Sequence, residues 1–362
     1  MNAELQGLIE DLLHSEAPGQ RLDAGQVVVF RNNAPVPPVQ REAGDFWWNR
    51  GFDLLILDER GRTTHFAKCR PADDDSFAEA SMIRGRLSAD PELQTIVPRT
   101  RHRRSRQVQV QLSTFVRGRS FGLDGSTISL EDWTTSVHAI ITTAERLTAR
   151  AVRLVPEFAA PPATVMDAAA NHSLAYLAAM GLEPERLEAL EHAIGPAASL
   201  PRRLQHGDLW PANVLHHRGC WWLLDYEMFG RVFLPLYDVF HLVRSSCQQR
   251  RPTAGGRASQ TWLELLAREG PEPRACQALV REAAARLGLR AEQVLASYAL
   301  HLADITAKIH GRGNPPKNWE PFLEEVVRLA DGLRWGERVP DLLLGGGDGG
   351  PAVMTAPAAA RR

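Results

Sequence analysis

A few polar residues near the middle of this 362-residue sequence have the types and the spacing of a catalytic site. The segment His206-Gly-Asp-Leu-Trp-Pro-Ala-Asn213 places Asp208 in a loop, because its proline does not fit inside a helix, and Asn213 follows five residues later. Two short strand-like runs joined by Arg-Gly come next, and they predict a hairpin that brings Asp225 back toward Asn213. A carboxylate and an amide oxygen that converge on one point suit Mg²⁺, an ion that prefers oxygen ligands.

These residue types predict phosphoryl transfer to a hydroxyl group. Such a reaction needs a carboxylate near the attacking hydroxyl, metal ions that neutralise the phosphate charge and a cation that orients the phosphates. Asp208 is the candidate for the first role, and Asn213 with Asp225 for the second. The spacing from Asp208 to Asn213 matches the template of the protein-kinase catalytic loop, in which the asparagine binds a magnesium ion.

The motifs resemble the signature of the aminoglycoside phosphotransferase and choline kinase family. In this sequence His206-Gly-Asp is followed after four residues by Asn213, and about a dozen residues later by Leu224-Asp-Tyr-Glu227. Any one of these residues alone would fit a turn or a surface charge. Several matches in the right order and spacing favour a site over that alternative.

The resemblance implies a role for each residue of these motifs. Asp208 would be the catalytic base. Asp238 ends a Leu-Pro-Leu-Tyr-Asp segment that resembles the one whose aspartate braces the catalytic loop in the family. The remaining motif residues would bind the metal or support the loop: Asn213 and Asp225 as metal ligands, and His206, Glu227 and Asp238 as supporting residues.

The resemblance also implies nucleotide-binding residues in the first third of the chain. Lys68 falls late in the second strand of a predicted hairpin, where the fold places a lysine that orients the phosphates. The chain has only two other lysines, which favours a function for Lys68 over a solvated strand residue. Glu79 would be its ion-pair partner, although it also fits a capping box and Glu92 could serve instead. Phe115 and Val116 lie in a segment that resembles the connection between lobes, where backbone groups meet the adenine.

Local patterns indicate the elements that must position these residues. Two hairpins are expected, over 52–69 and 95–116, and between them a helix over 76–87 with Ser76 as its cap. The Pro-rich stretch 34–38 is expected to have no regular structure. Further helices are predicted over 133–147, 168–180, 184–194, 261–269, 273–287, 291–310 and 321–333.

Together with the resemblance, these elements predict an α+β fold class, a two-lobed protein-kinase-like fold. Residues 1–118 would form a small, β-rich, nucleotide-binding N-lobe with one helix in it. Residues 119–344 would form a mostly helical lobe that carries the catalytic loop and the acceptor site. Residues 345–362, rich in Gly and then in Ala and Pro, are expected to be disordered.

Composition excludes several classes of partner. The formal net charge is −1, so the overall balance favours neither nucleic acid nor an anionic membrane. The four cysteines form no CxxC pair and the histidines show no metal-binding spacing, which argues against a zinc site or a disulfide framework. No run approaches the ~20 apolar residues of a membrane span, and the start lacks a signal-peptide pattern. We therefore expect a cytoplasmic protein.

The expected function is transfer of the γ-phosphate of ATP or GTP to a hydroxyl of a sugar, amino alcohol, aminoglycoside or related natural product. Residues 32–50 are rich in Pro and aromatics and lack the Ser- or Gly-containing loop that the family often has over the phosphates. This departure motivates the alternative, a non-catalytic or regulatory nucleotide-binding relative of the same fold.

Two further features remain open. The basic cluster 99–106 could bind an acidic partner or form a solvated hairpin tip. Acidic residues on the late helices could line the acceptor pocket, as in the related enzymes, or be surface charges. These residues are Asp304, Glu320, Glu324 and Glu325.

Overall fold

The computed structural model describes most of the chain, and its residues form two compact units. The described residues are 3–14, 26–31, 34–35, 51–124, 127–159, 161–162, 164–250, 261–311 and 316–346. Unit 1 comprises Met1–Phe121, Arg146–Pro156 and Ala212–Phe229, and unit 2 comprises Gly122–Glu145, Glu157–Pro211 and Gly230–Arg362. Each compact unit combines separate segments of the chain, whereas the expected lobes were continuous ranges. The two divisions cannot be compared directly, and the lobe boundaries stay a prediction.

Unit 1 contains an antiparallel sheet with the strand order β2-β1-β3-β4-β6-β5. Its strands are β1 Val27–Arg31, β2 Ala34–Pro35, β3 Phe52–Leu57, β4 Thr63–Pro71, β5 Thr100–Arg104 and β6 Val108–Thr114. The two predicted hairpins are confirmed as β3–β4 and β5–β6. The absence of regular structure predicted for 34–38 is wrong at β2, because proline is tolerated in an edge strand that needs no ladder donor there.

One face of this sheet packs against helix α1, Ala3–His14. Leu5, Ile9, Leu12 and Leu13 recur at helical spacing and are buried on its inner side. They join strand residues in one hydrophobic core: Val27, Val29, Phe52, Leu54, Ile56, Ala67, Cys69, Val108, Val110 and Leu112. Because neighbouring strand residues point to opposite faces, Lys68 and its cross-strand partner Gln111 lie on the other face.

Helix α2, Asp75–Ala89, covers that other face. Its Ser81 and Arg84 side chains hydrogen-bond to Gln111. The helix is capped by Asp74, whose Oδ1 accepts the N–H of Phe77 at 3.0 Å. The predicted cap, Ser76, is wrong because the helix begins one residue before it.

A second, three-stranded sheet of unit 1 has the order β7-β8-β9. Its strands are β7 Arg119–Ser120, β8 Val214–His217 and β9 Cys220–Leu223. The turn between β8 and β9 places both Arg218 and Gly219 at positive φ, 51° and 76°. This is the pattern of a type I′ hairpin turn, whose twist suits two antiparallel strands. The hairpin predicted after Asn213 is therefore confirmed.

The helices after β7 are α3 Phe121–Asp124, α4 Leu130–Leu154, α5 Val165–Ala179, α6 Pro184–Ile194, α7 Tyr237–Gln249, α8 Trp262–Leu266, α9 Pro271–Arg286, α10 Ala291–Gly311, α11 Pro316–Arg334 and α12 Val339–Leu344. In unit 2, α7 packs against α9 and α10. Every residue of α7 from Tyr237 to Cys247 is buried, its polar side chains included. None of the described helices combines the length and the apolar character that crossing a bilayer requires.

Candidate active site

In unit 2, the loop that contains Asp208 is held by the carboxylate of Asp238. Asp238 Oδ2 accepts the backbone N–H of His206 at 2.6 Å, and Oδ1 accepts that of Gly207 at 2.9 Å. Gly207 has a φ of 82°, which glycine adopts without the strain that a Cβ would cause. The side chain of Gln205 accepts the N–H of Asp238 in return, at 3.2 Å. These bonds fix the backbone immediately before Asp208.

Asp238 carries out this task in a buried environment. Burial raises the pKa of its carboxyl to about 7, a rise that nearby Asp208 supports and the two amide donors partly offset. By contrast, about one third of the Asp208 side chain is exposed. Its Oδ1 lies 3.8 Å from Nε2 of His241 on α7. The loop therefore presents a carboxylate that solvent or a ligand can reach.

In unit 1, the β8–β9 hairpin brings Asn213 beside the start of the Asp225 turn. The N–H of Leu224 donates to the carbonyl oxygen of Asn213 at 2.8 Å, one step beyond the last strand pair. Asp225 itself has a φ of 56°. Aspartate tolerates this left-handed conformation better than most residues, and such backbone outliers cluster at functional sites.

Lys68 lies at the centre of a charged cluster in the same unit. Its Nζ is 3.1 Å from Asp225 Oδ1 and 3.0 Å from Glu227 Oε1. Burial works against the charge of Lys68, but the two carboxylates outweigh it and hold its pKa above the usual range. Burial likewise opposes ionisation of Asp225, but Lys68 and then Arg84 hold its pKa below the ordinary value. Both partners are charged at neutral pH.

The ion pair predicted between Lys68 and Glu79 is not present among the described residues. Glu79 lies on the exposed side of α2, while the buried position facing the sheet is taken by Arg84. Arg84 Nη1 donates to Gln111 at 3.1 Å, and its guanidinium lies 5.1 Å from the ring centroid of Tyr226. Glu227 supplies the carboxylate expected from Glu79. The pattern identified the helix but not the direction in which Glu79 points, so a functional pairing of Glu79 with Lys68 stays a prediction.

Phe115 and Val116 directly follow strand β6. The N–H of Phe115 donates to the carbonyl of Thr64 at 2.9 Å, and the carbonyl of Val116 accepts the N–H of Gly118 at 3.0 Å. Phe115 is 37% exposed, one of the large apolar residues at the surface of the described part of the chain. The segment thus offers an exposed aromatic ring, while part of its backbone is already bonded.

A cavity of about 40 Å³ lies in unit 2. Its polar lining is formed by Tyr237, Asp304, Lys308 and Arg231, and the rest is mostly apolar. The Tyr237 hydroxyl donates to Asp304 at 2.9 Å, and Lys308 Nζ lies 2.5 Å from the same carboxylate. The acidic group of this cavity is therefore paired with a cation and with a hydroxyl donor.

The other acidic residues considered for an acceptor pocket lie elsewhere in unit 2. Glu320 and Glu324 are exposed on α11. Glu325 is completely buried, which contradicts its assignment to a pocket wall. Its carboxylate accepts the N–H groups of Trp262 and Leu263 at 2.6 and 2.9 Å, and so it caps α8.

The structure thus gathers the predicted residues into two groups, one in each unit. Lys68, Asn213, Asp225 and Glu227 belong to unit 1, and His206, Asp208 and Asp238 belong to unit 2. The residues of 32–50 other than 34–35, and those of the predicted tail beyond 346, lie outside the described part of the chain.

Sequence reasoning missed Arg84 and His241. A usable signal existed for His241, since it lies three residues after Asp238 on one helix and so shares its face. Arg84 gave no such signal, because the sequence alone does not decide which side of α2 faces the sheet.

Comparisons with known proteins bear on the family and on the fold. Residues 97–279, half of the chain, match the model of the phosphotransferase enzyme family. The structure of APH(2")-IIia in complex with GDP and kanamycin is similar, with a TM-score of 0.50, 11% identity, and coverage of 91% of this chain and 99% of that one. A choline kinase from Cryptosporidium parvum Iowa II has a TM-score of 0.51, 10% identity, and coverage of 94% and 98%. These likenesses confirm the predicted α+β, kinase-like fold class. No curated protein matches the sequence.

Proposed function

We propose, from the premise that the chain belongs to the phosphotransferase enzyme family, that it transfers the γ-phosphate of ATP or GTP to a hydroxyl group of a small molecule. One similar structure holds GDP and kanamycin, and another is a choline kinase. These neighbours support a nucleotide donor and a small acceptor, such as a sugar, an amino alcohol, an aminoglycoside or a related natural product.

The observation that carries the proposal is the cluster around Lys68. A phosphoryl donor requires a cation for its phosphates and oxygen ligands for its metal. Unit 1 offers the cation on strand β4 and the carboxylates in the turn after strand β9. Lys68 lies within 3.1 Å of Asp225, and the backbone bond from Leu224 places Asn213 next to that aspartate. A solvated strand lysine would not be expected to be largely buried between two carboxylates.

The donor set fits a magnesium ion. Asp225 is held in its ionised form, and Asn213 offers an amide oxygen, so both are hard oxygen ligands of the kind Mg²⁺ takes together with phosphate oxygens and water. In this proposal these two residues hold the ion. When bound, the ion would neutralise charge on the phosphates of the nucleotide. Lys68 keeps its own charge and orients the phosphates.

Asp208 is the proposed base. The acceptor oxygen attacks the γ-phosphorus, the bond from that phosphorus to the bridging oxygen of the nucleotide diphosphate breaks, and the hydroxyl proton passes to the Asp208 carboxylate. Asp238 supports this step by holding the amides of His206 and Gly207, which fixes the position of the base. Backbone groups of Phe115 and Val116 would meet the nucleotide base. Glu79 is exposed on α2, so we expect it to contribute little to nucleotide binding.

The acceptor site is assigned to unit 2, which also contains Asp208. The cavity lined by Tyr237, Asp304 and Lys308 offers a hydroxyl, a carboxylate and an ammonium group among apolar side chains. Such a mixture of a few polar groups and an apolar lining resembles that of small-molecule sites, but at about 40 Å³ the cavity would take only part of an acceptor, since ligand pockets measure about 300–1,000 Å³. Lys308 already pairs with Asp304 and Arg231 adds a second cation to the lining, so the cavity carries no uncompensated negative charge for an acceptor that depends on cationic groups alone.

The test is transfer of phosphate to a panel of sugars, amino alcohols and antibiotics, measured as phosphorylated product by mass spectrometry. Asp208→Asn should reduce transfer about a hundredfold to ten-thousandfold, because it removes the general base but keeps the side-chain shape. Asp167→Asn, at an exposed aspartate of α5, is the matched control and should leave transfer unchanged.

Two results would overturn the proposal. Transfer that survives Asp208→Asn would show that the base is wrongly assigned. An absence of thermal stabilisation by millimolar ATP or GTP with Mg²⁺ would instead favour a relative that no longer binds nucleotide, since a ligand bound only by the folded state must raise apparent stability.

A further inference from the structure

The helix that holds the Asp208 loop also carries a histidine that faces Asp208 itself. His241 lies three residues after Asp238, on the same face of α7. Its Nε2 is 3.8 Å from Asp208 Oδ1, slightly beyond hydrogen-bond range. Hydrogen bonds of catalytic groups are often long in ligand-free enzymes and shorten when substrate is bound.

The imidazole ring of His241 is fixed by the rings around it. Trp210, two residues after Asp208, lies 5.8 Å away between ring centroids, and His301 lies at 5.8 Å on another side. Tyr237 stacks one helical turn earlier at 6.5 Å. Only 3% of the His241 side chain is exposed. A ring packed in this way keeps one nitrogen directed toward the carboxylate.

The chemistry of the two groups decides which of them donates. A carboxylate only accepts hydrogen bonds, so an interaction with Asp208 requires the proton on Nε2 of His241. Among the described residues, Nδ1 has no hydrogen-bond partner that would demand the proton instead. Burial, and then the positive charges of Arg244 and Lys308, lower the pKa of His241 to about 3, so the ring is neutral at physiological pH.

We propose that His241 is a positioning residue for Asp208, which donates Nε2–H to the carboxylate and orients it toward the acceptor hydroxyl. The inference rests on the proposed function, because it gives Asp208 the role of base. A neutral donor suits this task, since a cation at the same place would stabilise the carboxylate more strongly and weaken it as a base.

Several charged or titratable groups face His241, from three sides. These groups either act on His241 through their charge or contact its imidazole ring. They come from the catalytic loop, from α7 and from α10. They are His206 and Asp208, Tyr237 and Arg244, and His301 and Lys308.

The test compares His241→Phe with His301→Phe. The first keeps an aromatic ring but removes the donor. The second is a matched control, because His301 is buried in the same ring cluster and its nitrogens have no hydrogen-bond partner among the described residues. The titration midpoint of the Asp208 carboxyl is followed by NMR in protein labelled with ¹³C at the aspartate carboxyls, with Asp208→Asn used for assignment. This measurement needs no acceptor.

In His241→Phe the midpoint of Asp208 should move up by about one pH unit, because the carboxylate loses a donor that favours its charged form. With an acceptor from the panel, kcat should fall about tenfold and the acid limb of its pH profile should move in the same direction, while KM for the nucleotide stays unchanged. His241→Gln, which restores an N–H donor, should recover part of both effects. His301→Phe should change neither.

The outcomes separate this inference from the proposed function. If Asp208→Asn abolishes transfer but His241→Phe moves neither the midpoint nor kcat, the role of His241 is wrong and the function stands. Equal shifts in His241→Phe and His301→Phe would also refute it, since they would show a general packing effect. If Asp208→Asn leaves transfer intact, the base assignment fails and His241 has no base to position.

Discussion

Two aspartates that follow the Asp208 loop in the sequence occupy opposite environments. Asp225 in unit 1 is 3.1 Å from a lysine, and its pKa lies below the ordinary value. Asp238 in unit 2 meets two backbone N–H groups instead, and its pKa rises to about 7. The backbones differ as well, because Asp225 has a left-handed φ of 56° in a turn, whereas Asp238 belongs to the first turn of α7.

In the proposed function, the difference allows one residue type to serve two purposes. A carboxylate that is to bind a cation must be ionised, and Lys68 keeps Asp225 in that state although its surroundings are partly desolvated. A carboxyl that only holds backbone amides needs acceptor oxygens in a fixed place, which Asp238 offers even when it carries a proton. The comparison therefore predicts that charge matters most at Asp225 and that shape and stability matter most at Asp238.

The largest effect is expected from Asp225→Asn. Loss of the charged ligand should reduce phosphate transfer by about a thousandfold or more and remove the Mg²⁺-dependent part of nucleotide binding. Calorimetric titration of ATP with and without Mg²⁺ measures the second effect directly. Asp53→Asn is the matched control, because Asp53 is similarly exposed and its carboxylate also pairs with a cation at 3.1 Å, that of Arg70. If both variants lose Mg²⁺ dependence equally, Asp225 has no special role as a ligand.

An intermediate effect is expected from Asp238→Asn. The asparagine has one acceptor oxygen where the aspartate has two, so one of the loop amides would be left facing an N–H donor. Urea unfolding at pH 5 should show a loss of about 2 kcal/mol, and kcat should fall with it because the loop is released. Glu325→Gln removes a similar buried acceptor at α8 and should cost stability without lowering kcat. Full activity in Asp238→Asn would separate the loop geometry from catalysis.

The pH dependence of stability tests the same contrast. Because the folded pKa of Asp238 lies above its ordinary value of 3.8, the folded protein keeps a proton between about pH 4 and pH 7 that the unfolded chain has released. This residue's contribution to stability is complete below that window and declines by up to about 4 kcal/mol as pH rises through it. The stability difference between wild type and Asp238→Asn should thus shrink from pH 5 to pH 8. A difference that stays constant would mean that Asp238 is ionised throughout.

Some of these features could be predicted from the sequence, because local patterns determine them. The β3–β4 and β8–β9 hairpins follow from turn residues between apolar runs, and the helices of unit 2 from their periodicity. The order and spacing of Asp208, Asn213 and Asp225 predicted the family through a resemblance, and the family match confirms it. Their proposed roles still await the tests above.

Other features depended on tertiary contacts that no local pattern contains. Glu79 and Arg84 lie on the same helix, and the sequence could not decide which of them faces the sheet. The buried position of Glu325 beneath α8 depends on how two helices that are far apart in the chain pack together. The closeness of His241 to Asp208 required the fold of the loop and of α7 together.

The smallest effect is expected at Glu227, the more exposed of the two carboxylates that contact Lys68. The carboxylate of Glu227 is nearly half exposed and lies 3.0 Å from Lys68. It is therefore the ion-pair partner of Lys68 that the sequence analysis expected Glu79 to be. Glu227→Gln should raise KM for the nucleotide about threefold with little change in kcat, since a partly exposed ion pair contributes little but helps to hold the lysine. Glu79→Gln is the matched control and should leave KM unchanged. If Glu79→Gln instead raises KM while Glu227→Gln does not, α2 must turn to bring Glu79 to Lys68 when nucleotide binds, and the partner inferred from the sequence would be the functional one.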